Sequence, residues 1–352
     1  MKAKLAVLVC LAIASTHSRA EDVVALDTFT VSGQSEESAG YLNQFQQETS
    51  TGSKLGLTIK ETPASVEIIN AKTMELRGDS TVIRAVTKAA GITGGASGHG
   101  TTGNYSARGF TGYPGIDFLQ DGIKLNGTIF SKRSLDVSSL DRIEIIRGAS
   151  SVLNGEGSIG ATVNLITKKP SFSEEETEIG FRAGSHDSYR VNFGRAGVAI
   201  EDTLAYRVDA VTRQIGSVYD GETRDLHSLS ASLLYKINPT LITSLSFEKS
   251  RDDAENDYQG TPLVNGKLDR SIRKFNYNNL RDGTDSGESL WIRHNMEWYA
   301  TPSITLKNQL YYQNAEADVR RLYLAVQDAT NPDLVNRRGY DSSQKQDLIG
   351  NR

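Results

Sequence analysis

From Glu176 onward the chain alternates apolar and polar residues with a period of two, which constrains its fold more than any other feature. In the first such stretch, Thr177, Ile179 and Phe181 fall on one face, and their polar neighbours fall on the other. Successive side chains of a β-strand point to opposite faces, so this period predicts strands rather than helices. The pattern recurs at 204–210, 229–237, 241–247, 290–298 and 304–312. We expect each strand built on these stretches to be about ten residues long, the length that a tilted strand needs to cross a bilayer.

The links between these stretches fall into two length classes. Tight-turn sequences occupy 238–240 and 300–302, whereas longer polar links occupy 215–225, 251–288 and 325–341. If the strands run alternately up and down, all the short turns lie on one side of the sheet and all the long links on the other. Outer-membrane barrels have this arrangement, and a soluble β-sandwich gives no reason for it. We count about seven strands between residues 176 and 312, with an eighth starting near residue 342.

The first twenty residues have the form of a secretory signal peptide. Lys2 and Lys4 give a positive start, Leu5–Ala14 is an apolar run, and small residues precede a cleavage point after Ala20. The run is too short to span a bilayer as a helix. The only cysteine, Cys10, lies inside it, so the processed chain has neither a disulfide framework nor a cysteine-based metal site.

Composition excludes several functional classes. Acidic residues outnumber basic ones by 43 to 39 without blocks of either sign, so nothing suggests nucleic acid. The stretch 156–160 lacks the first glycine of a nucleophile elbow, and the glycine-rich stretch 91–112 lacks the ending of a phosphate-binding loop. The histidines are scattered without ligand spacing, and acidic residues in 252–257 lack the order of a calcium loop. We therefore expect no enzyme, no resident cofactor and no metal site.

The remaining chain divides by composition into three regions. Residues 21–58 are polar and have the character of a flexible arm; residues 59–170 mix helix and strand patterns; residues 171–352 carry the alternation. The middle region predicts a strand at 64–69, a helix capped by Asn70 and ending at Arg77, and a second helix capped by Ser80. It further predicts a turn within 118–125, strands at 142–147 and 161–167, and an irregular glycine-rich segment at 91–112.

Five stretches in a fixed order carry a resemblance to a known family. They are DTFTV at 27–31, TSTGSKLGLTIKETPASV at 49–66, SARGF at 106–110, DGIKL at 121–125 and LDRIEIIRGASSVLNGEGSIGATVNLITKKP at 140–170. Together they closely resemble the plug of TonB-dependent outer-membrane receptors, with the order and spacing of the ferric-siderophore (ferrichrome-type) branch. The resemblance covers residues 27–170 by motif, and residues 171–352 by pattern alone.

The resemblance implies an α+β plug domain followed by the first seven or eight antiparallel strands of a transmembrane β-barrel of about 22 strands, truncated here. It also implies a receptor of the Gram-negative outer membrane that takes a ferric siderophore into the periplasm, with iron entering only as part of the chelate. TonB, with ExbB and ExbD, would pull on a TonB box formed by Asp27, Thr28, Phe29, Thr30 and Val31. Outer-membrane lipid is the other expected partner, and we expect a monomer.

Two further sets of residues follow from the resemblance. Arg108, Arg142, Glu144 and Arg147 are expected to form ion pairs between plug and barrel wall. The expected contacts with substrate are made by aromatic and apolar residues of the apical plug loops: Tyr105, Tyr113, Ile129 and Phe130. Gly94 stands where ferrichrome receptors have an arginine, so the sequence does not favour ferrichrome itself.

Three alternatives remain at this stage. The first is TonB-dependent uptake of another nutrient, such as a cobalamin or a saccharide. The second is a signal-transducing receptor, which would carry a further domain of roughly eighty residues before the TonB box; here the box follows the predicted cleavage point by seven residues. The third is a soluble plug-like binding protein, which the alternating strands disfavour. Since unpaired strand edges are not tolerated in lipid, we expect residues 1–352 to need further strands for transport.

Overall fold

The structure is a computed structural model that describes part of the chain. The described residues are 45–95, 104–111, 115–125, 135–148, 159–255, 263–264, 267–268, 271, 274, 283–331 and 334–352. Two helices are present among them, α1 (Ala71–Leu76) and α2 (Val82–Val86). The plug strands are β1 (Ser65–Asn70), β2 (Ile92–Gly95), β3 (Asn104–Ala107), β4 (Phe110–Thr111), β5 (Ile116–Gln120), β6 (Ile123–Lys124), β7 (Leu140–Arg147) and β8 (Ala161–Thr167).

Helix α1 begins and ends where the sequence predicts. The side chain of Asn70 accepts a hydrogen bond from the N–H of Thr73 at 2.8 Å and so caps the helix, which ends at Arg77. Helix α2 corrects a prediction: its N-cap is Thr81 rather than Ser80, because the Thr81 hydroxyl is the group that accepts from the N–H of Arg84. No helix among the described residues combines the length and apolarity of a membrane span.

A five-stranded sheet in the order β1-β7-β8-β5-β6 forms the centre of the plug. The predicted turn between β5 and β6 is present, with positive φ at both Asp121 (48°) and Gly122 (80°), the values of a type I′ hairpin turn. On one face of the sheet, Ile143, Ile145 and other β-branched residues build the core together with both helices. The predicted strands of this region are confirmed.

The opposite face of this sheet is covered by the segment just before β1. Glu144 alternates with the core residues of β7 and points to this second face, as Asn164 does on β8. The segment Thr49–Ser53 packs over them and is largely buried. Gly52 is required here, because a Cβ at this position would lie 2.9 Å from the methyl groups of Thr49 and Thr62.

The glycine-rich segment is more regular than predicted. Strands β2, β3 and β4 form a small antiparallel sheet in which Ile92 pairs with Ala107. Residues 96–103 lie outside the described residues. Ordered backbone pairing satisfies the N–H and C=O groups that a loop of this length would leave exposed, and the glycines do not prevent it.

The remaining major strands form one eight-stranded antiparallel sheet, here called the wall. In spatial and chain order they are β9 (Glu176–Ala183), β10 (Tyr189–Ile200), β11 (Leu204–Gly216), β12 (Thr223–Asn238), β13 (Leu241–Glu255), β16 (Thr284–Thr301), β17 (Ile304–Gln327) and β18 (Val335–Asn351). A two-stranded piece, β14 (Leu263–Val264) and β15 (Lys267–Leu268), lies in the longest link.

The wall confirms seven strands between residues 176 and 312, and the eighth begins at Val335 rather than near residue 342. The prediction of about ten residues for each strand was wrong, because β17 has 24 residues and β13 continues to Glu255. Backbone pairing continues through the polar residues that the sequence assigned to links. The short turns at 201–203, 239–240 and 302–303 lie at one end of the wall, and the longer links lie at the other.

The wall exposes apolar side chains and covers charged ones, which is the opposite of a soluble protein's surface. Its apolar face is exposed: Ile179 is 78% and Phe181 is 75% accessible. Its polar face is covered by the plug, and Arg213 and Arg293 are each only 2% accessible. Exposed apolar residues alternating with covered charges indicate a sheet that faces lipid on one side and the plug on the other.

Candidate functional site

The plug is held to the inward face of the wall by charged side chains, and the first contact centres on Asp136. Asp136 lies near α2 in the fold and shortly before β7 in the chain. Arg190 of β10 reaches both carboxylate oxygens, with distances of 2.8 Å from Nη2 and 3.1 Å from Nε. Arg213 of β11 lies 3.0 Å from Oδ2 through Nη1, which also donates to the carbonyl of Ser80. We call this group the Asp136 contact.

Electrostatics favour the ionised form of Asp136. Burial alone would raise the pKa of the carboxyl group, but the hydrogen bonds and positive charges of Arg190 and Arg213, with the N–H of Ser138, hold this pKa below its ordinary value. The side chains of Asp136 and Arg213 are 3% and 2% accessible, so water screens this pair little. The ion pairs are strong while both partners are present. Removing one partner leaves a buried charge unpaired, which costs free energy.

A second contact centres on Arg293 of β16. Its guanidinium lies 2.9 Å from the carboxylate of Asp121 in the β5–β6 turn and 3.1 Å from that of Glu248 on β13. Gln120 of the plug donates to the same Glu248 oxygen at 2.7 Å. Asp121 also accepts from the N–H and hydroxyl of Thr167, so the plug itself fixes its orientation. We call this group the Arg293 contact.

An apolar anchor lies beside the Arg293 contact. Trp291 projects from the inward face of β16, is 2% accessible and belongs to the same apolar cluster as the core of the plug. The guanidinium of Arg293 lies 5.4 Å from the centre of the Trp291 ring, a distance suited to a cation–π interaction. The wall therefore supplies one large side chain to the core of the plug, besides its charges.

The link from plug to wall carries a third group of charges. Lys168, immediately after β8, pairs with Glu178 of β9 at 2.6 Å. Nearby on β11, Arg207 pairs with Asp209 at 2.8 Å and with Glu176 at the start of β9. These pairs fix the point at which the chain passes from plug to wall.

A small cavity of about 20 Å³ separates the Asp136 contact from the Arg293 contact. Its lining includes Gln120, Asp136 and Glu248 together with serines from both plug and wall. This volume suits about one water molecule and no larger solute.

Glu144 is at the centre of a separate site inside the plug. Its carboxylate is fully buried and accepts hydrogen bonds from the hydroxyl of Thr49 at 2.9 Å and from the N–H and hydroxyl of Thr51 at 2.9 and 2.6 Å. Ser50 contributes longer contacts, and Arg142 donates at 2.8 Å. Burial alone would raise the pKa of Glu144, but the hydrogen bonds from Thr51 and the charge of Arg142 hold it below its ordinary value.

The predicted pairs between plug and wall require correction. The recorded ion pairs of Arg142 are with Glu144 and Asp141, inside the plug. Arg147 pairs with Glu67 of β1 and donates to the carbonyl of Ala90, again inside the plug. The physical reason is that acidic groups of the plug lie within reach: Arg142 meets carboxylates of its own strand, and Arg147 meets Glu67 on the neighbouring strand β1.

Arg108, the remaining member of that predicted set, is exposed and adopts a φ of 52°. Tyr105, one of the predicted substrate contacts, lies in the core of the plug instead. Its ring is 6% accessible and packs 4.9 Å from that of Phe118, and burial raises the pKa of its hydroxyl. It is a core residue here. Tyr113, Ile129 and Phe130 lie outside the described residues, as does the predicted TonB box at 27–31.

Sequence reasoning missed the residues that actually join plug and wall. In the sequence, Asp121 stands out only as part of a turn, and nothing distinguishes Asp136. The wall arginines Arg190, Arg213 and Arg293 each occupy an inward position of an alternating strand, opposite the apolar face. A long cation at such a position needs a buried anion, and that signal could have prompted a search for acidic plug residues.

Known proteins similar to this chain agree with the architecture of plug and wall described above. The family model of the TonB-dependent receptor plug domain matches residues 58–162. Over 290 residues the chain is 25% identical to the ferrichrome outer membrane transporter/phage receptor of Escherichia coli (strain K12), covering 79% of this chain and 38% of that protein. Over 237 residues it is 30% identical to the ferripyoverdine receptor of Pseudomonas aeruginosa, covering 65% and 28%. Residues 58–162 thus match the plug domain of TonB-dependent receptors, and the chain is similar to ferric-siderophore receptors over a longer stretch.

The likeness extends from the plug to the wall of the present chain. The crystal structure of the ferripyoverdine receptor of the Pseudomonas aeruginosa outer membrane, bound to ferripyoverdine, matches with a TM-score of 0.76 at 25% identity. The match covers 86% of the present chain and 41% of that one. The chain therefore spans about two fifths of the length of that relative, and 38% of the ferrichrome transporter.

Proposed function

We propose that this receptor lies in the outer membrane and imports a ferric siderophore into the periplasm by a TonB-coupled rearrangement of its plug. The observation that carries the proposal is a folded plug seated on the inward face of a lipid-facing wall by non-covalent polar contacts. Such contacts close a passage and still allow it to open, because a pull can replace them with water contacts. The relatives named for ferrichrome and ferripyoverdine support a ferric siderophore as the substrate.

Energy for the rearrangement would arrive mechanically through the N-terminal arm. We propose that residues 27–31 add as a strand to TonB, which acts with ExbB and ExbD. Strand addition relies on main-chain hydrogen bonds and suits a short alternating segment within a polar arm. Export would precede this step, with the signal peptide cleaved near Ala20.

The siderophore would bind at the outer face of the plug. Tyr113, Ile129 and Phe130 remain our proposed contacts there, because aromatic and apolar side chains suit the organic shell of an iron chelate. In this proposal the receptor acts as a monomer in outer-membrane lipid and is not an enzyme. It holds no resident cofactor, and iron enters only as part of the transported chelate.

Growth on a panel of iron chelates under iron limitation tests the proposal. Deleting the gene should abolish growth on at least one ferric siderophore, and the wild-type gene should restore it. Thr28→Pro should fail to restore growth, since proline lacks the N–H that strand addition needs, whereas Gln34→Pro outside the box should succeed. Unchanged growth on every chelate, with loss of cobalamin or glycan uptake, would overturn the siderophore assignment.

A further inference from the structure

We infer that Glu144 is a latch that holds residues 45–59, which include the C-terminal end of the predicted arm and are here called the latch segment, onto the plug. This latch opens before any other part of the plug moves. This inference rests on the proposed function, because a latch needs a pull. Thr49, Ser50 and Thr51 lie near the C-terminal end of the arm, and all three donate hydrogen bonds to this one carboxylate. A pull on the arm therefore reaches the Glu144 site first.

The latch segment is tied to the plug sheet through side chains rather than strand pairing. Its main chain pairs with itself: the N–H of Thr49 donates to the carbonyl of Leu57, and that of Ile59 donates to the carbonyl of Gln47. Its side-chain ties to the sheet include the Glu144 carboxylate and the hydrogen bond from Asn164 to the hydroxyl of Thr51 at 2.8 Å. Losing one carboxylate would therefore remove the hydrogen bonds from Thr49, Ser50 and Thr51 to Glu144 at once.

Two of the three latch-segment residues that donate to the carboxylate, Thr49 and Thr51, are buried with it. Thr49 and Thr51 are 1% and 0% accessible, and Glu144 is 0% accessible. Buried donors that lose an ionised acceptor lose more than ordinary hydrogen bonds, and water cannot reach them unless the segment leaves. The site consequently favours two states, seated with the carboxylate or fully released.

The contacts between the rest of the plug and the wall should remain in place when the latch opens. The wall contacts described above come from Asp121, Asp136 and Lys168, all of which follow β1 and α1 in the chain. Strand β1 is the next element after the latch segment and, within the part of the chain that the structure describes, lies at the edge of the sheet beside β7. The expected order of release is the latch, then β1, with β5 to β8 retained on the wall.

A buried thiol introduced beside the latch measures its opening. Ser53 is 6% accessible and lies next to the latch, outside the recorded contacts of Glu144. We would measure maleimide labelling of Ser53→Cys in outer membranes without TonB, against the parent protein as background. Glu144→Gln should raise the labelling rate about tenfold or more, because an amide cannot accept from all the buried donors. Asp141→Asn, an exposed carboxylate on the same strand, should change the rate less than about twofold.

A second variant guards against failure of Glu144→Gln to fold. Thr51→Val removes the shortest of these contacts and leaves the Glu144–Arg142 pair in place. It should give an intermediate rise in labelling. If neither variant raises the rate in folded protein, the latch is refuted. If the variants raise the labelling rate but growth on siderophores does not depend on TonB, the proposed function is overturned and the latch stands.

Discussion

Asp136→Asn tests whether charge seats the plug on the wall. Asparagine keeps the size of the side chain and removes its charge, so the buried guanidiniums of Arg190 and Arg213 lose their shared counter-ion. Removing one partner of a buried ion pair costs about 3–5 kcal/mol. Since a tenfold change in an equilibrium corresponds to about 1.4 kcal/mol, local opening around residues 135–139 should become on the order of 10²- to 10³-fold more frequent.

Amide hydrogen exchange on the detergent-solubilised receptor reads this opening directly. The N–H of Val82 donates to the carbonyl of Leu135, and that of Leu140 donates to the carbonyl of Val137, both at 3.0 Å, so these amides report on the loop. Their exchange should accelerate in Asp136→Asn, while peptides of β8 keep their protection. The exposed variant Asp141→Asn should exchange like wild type. Wild-type protection at both amides in Asp136→Asn would refute the reasoning.

Three further predictions follow from other sites. Arg293→Lys should speed exchange at the N–H of Gly122 about tenfold and leave that of Val82 unchanged, because a lysine cannot bridge two carboxylates as a guanidinium does. Asn70→Ala should lower plug stability in urea by about 1 kcal/mol through loss of the α1 cap, and Asn70→Asp should retain it. The lowered pKa of Glu144 contributes stability that is complete above the unfolded-state pKa of about 4.3 and is lost as pH falls through the lower folded-state value. Glu144→Gln should therefore flatten the loss of plug stability in acid, and an unchanged acid dependence would contradict this.

Local signals predicted the elements of the fold well, because they depend on short-range chemistry. The cap at Asn70, the turn at Asp121 and the alternation from Glu176 each predicted an element that the structure contains. Strand ends were less predictable: β17 continues through polar residues because neighbouring backbone, rather than side-chain polarity, decides how far pairing extends.

The candidate site was less predictable, because its contacts join residues far apart in the chain. Arg213 and Asp136 are separated by 77 positions, and Gln120 and Glu248 by 128, so no local pattern links them. The resemblance predicts that Glu144 pairs with the wall, whereas its partners in the structure include Thr49 and Thr51, which lie in a segment of the plug far from it in the chain. Which long charged side chain meets which depends on how the plug lies against the wall, and that is set by tertiary packing.

Uptake of radioactive iron tests the central claim most directly. Cells that express the receptor would be supplied with radioactive iron bound to each siderophore of a panel, with TonB either functional or deleted. The account predicts time-dependent accumulation from at least one siderophore only when both the receptor and TonB are present, with surface binding alone when TonB is missing. Equal accumulation with and without TonB, or no receptor-dependent uptake from any siderophore, would contradict it.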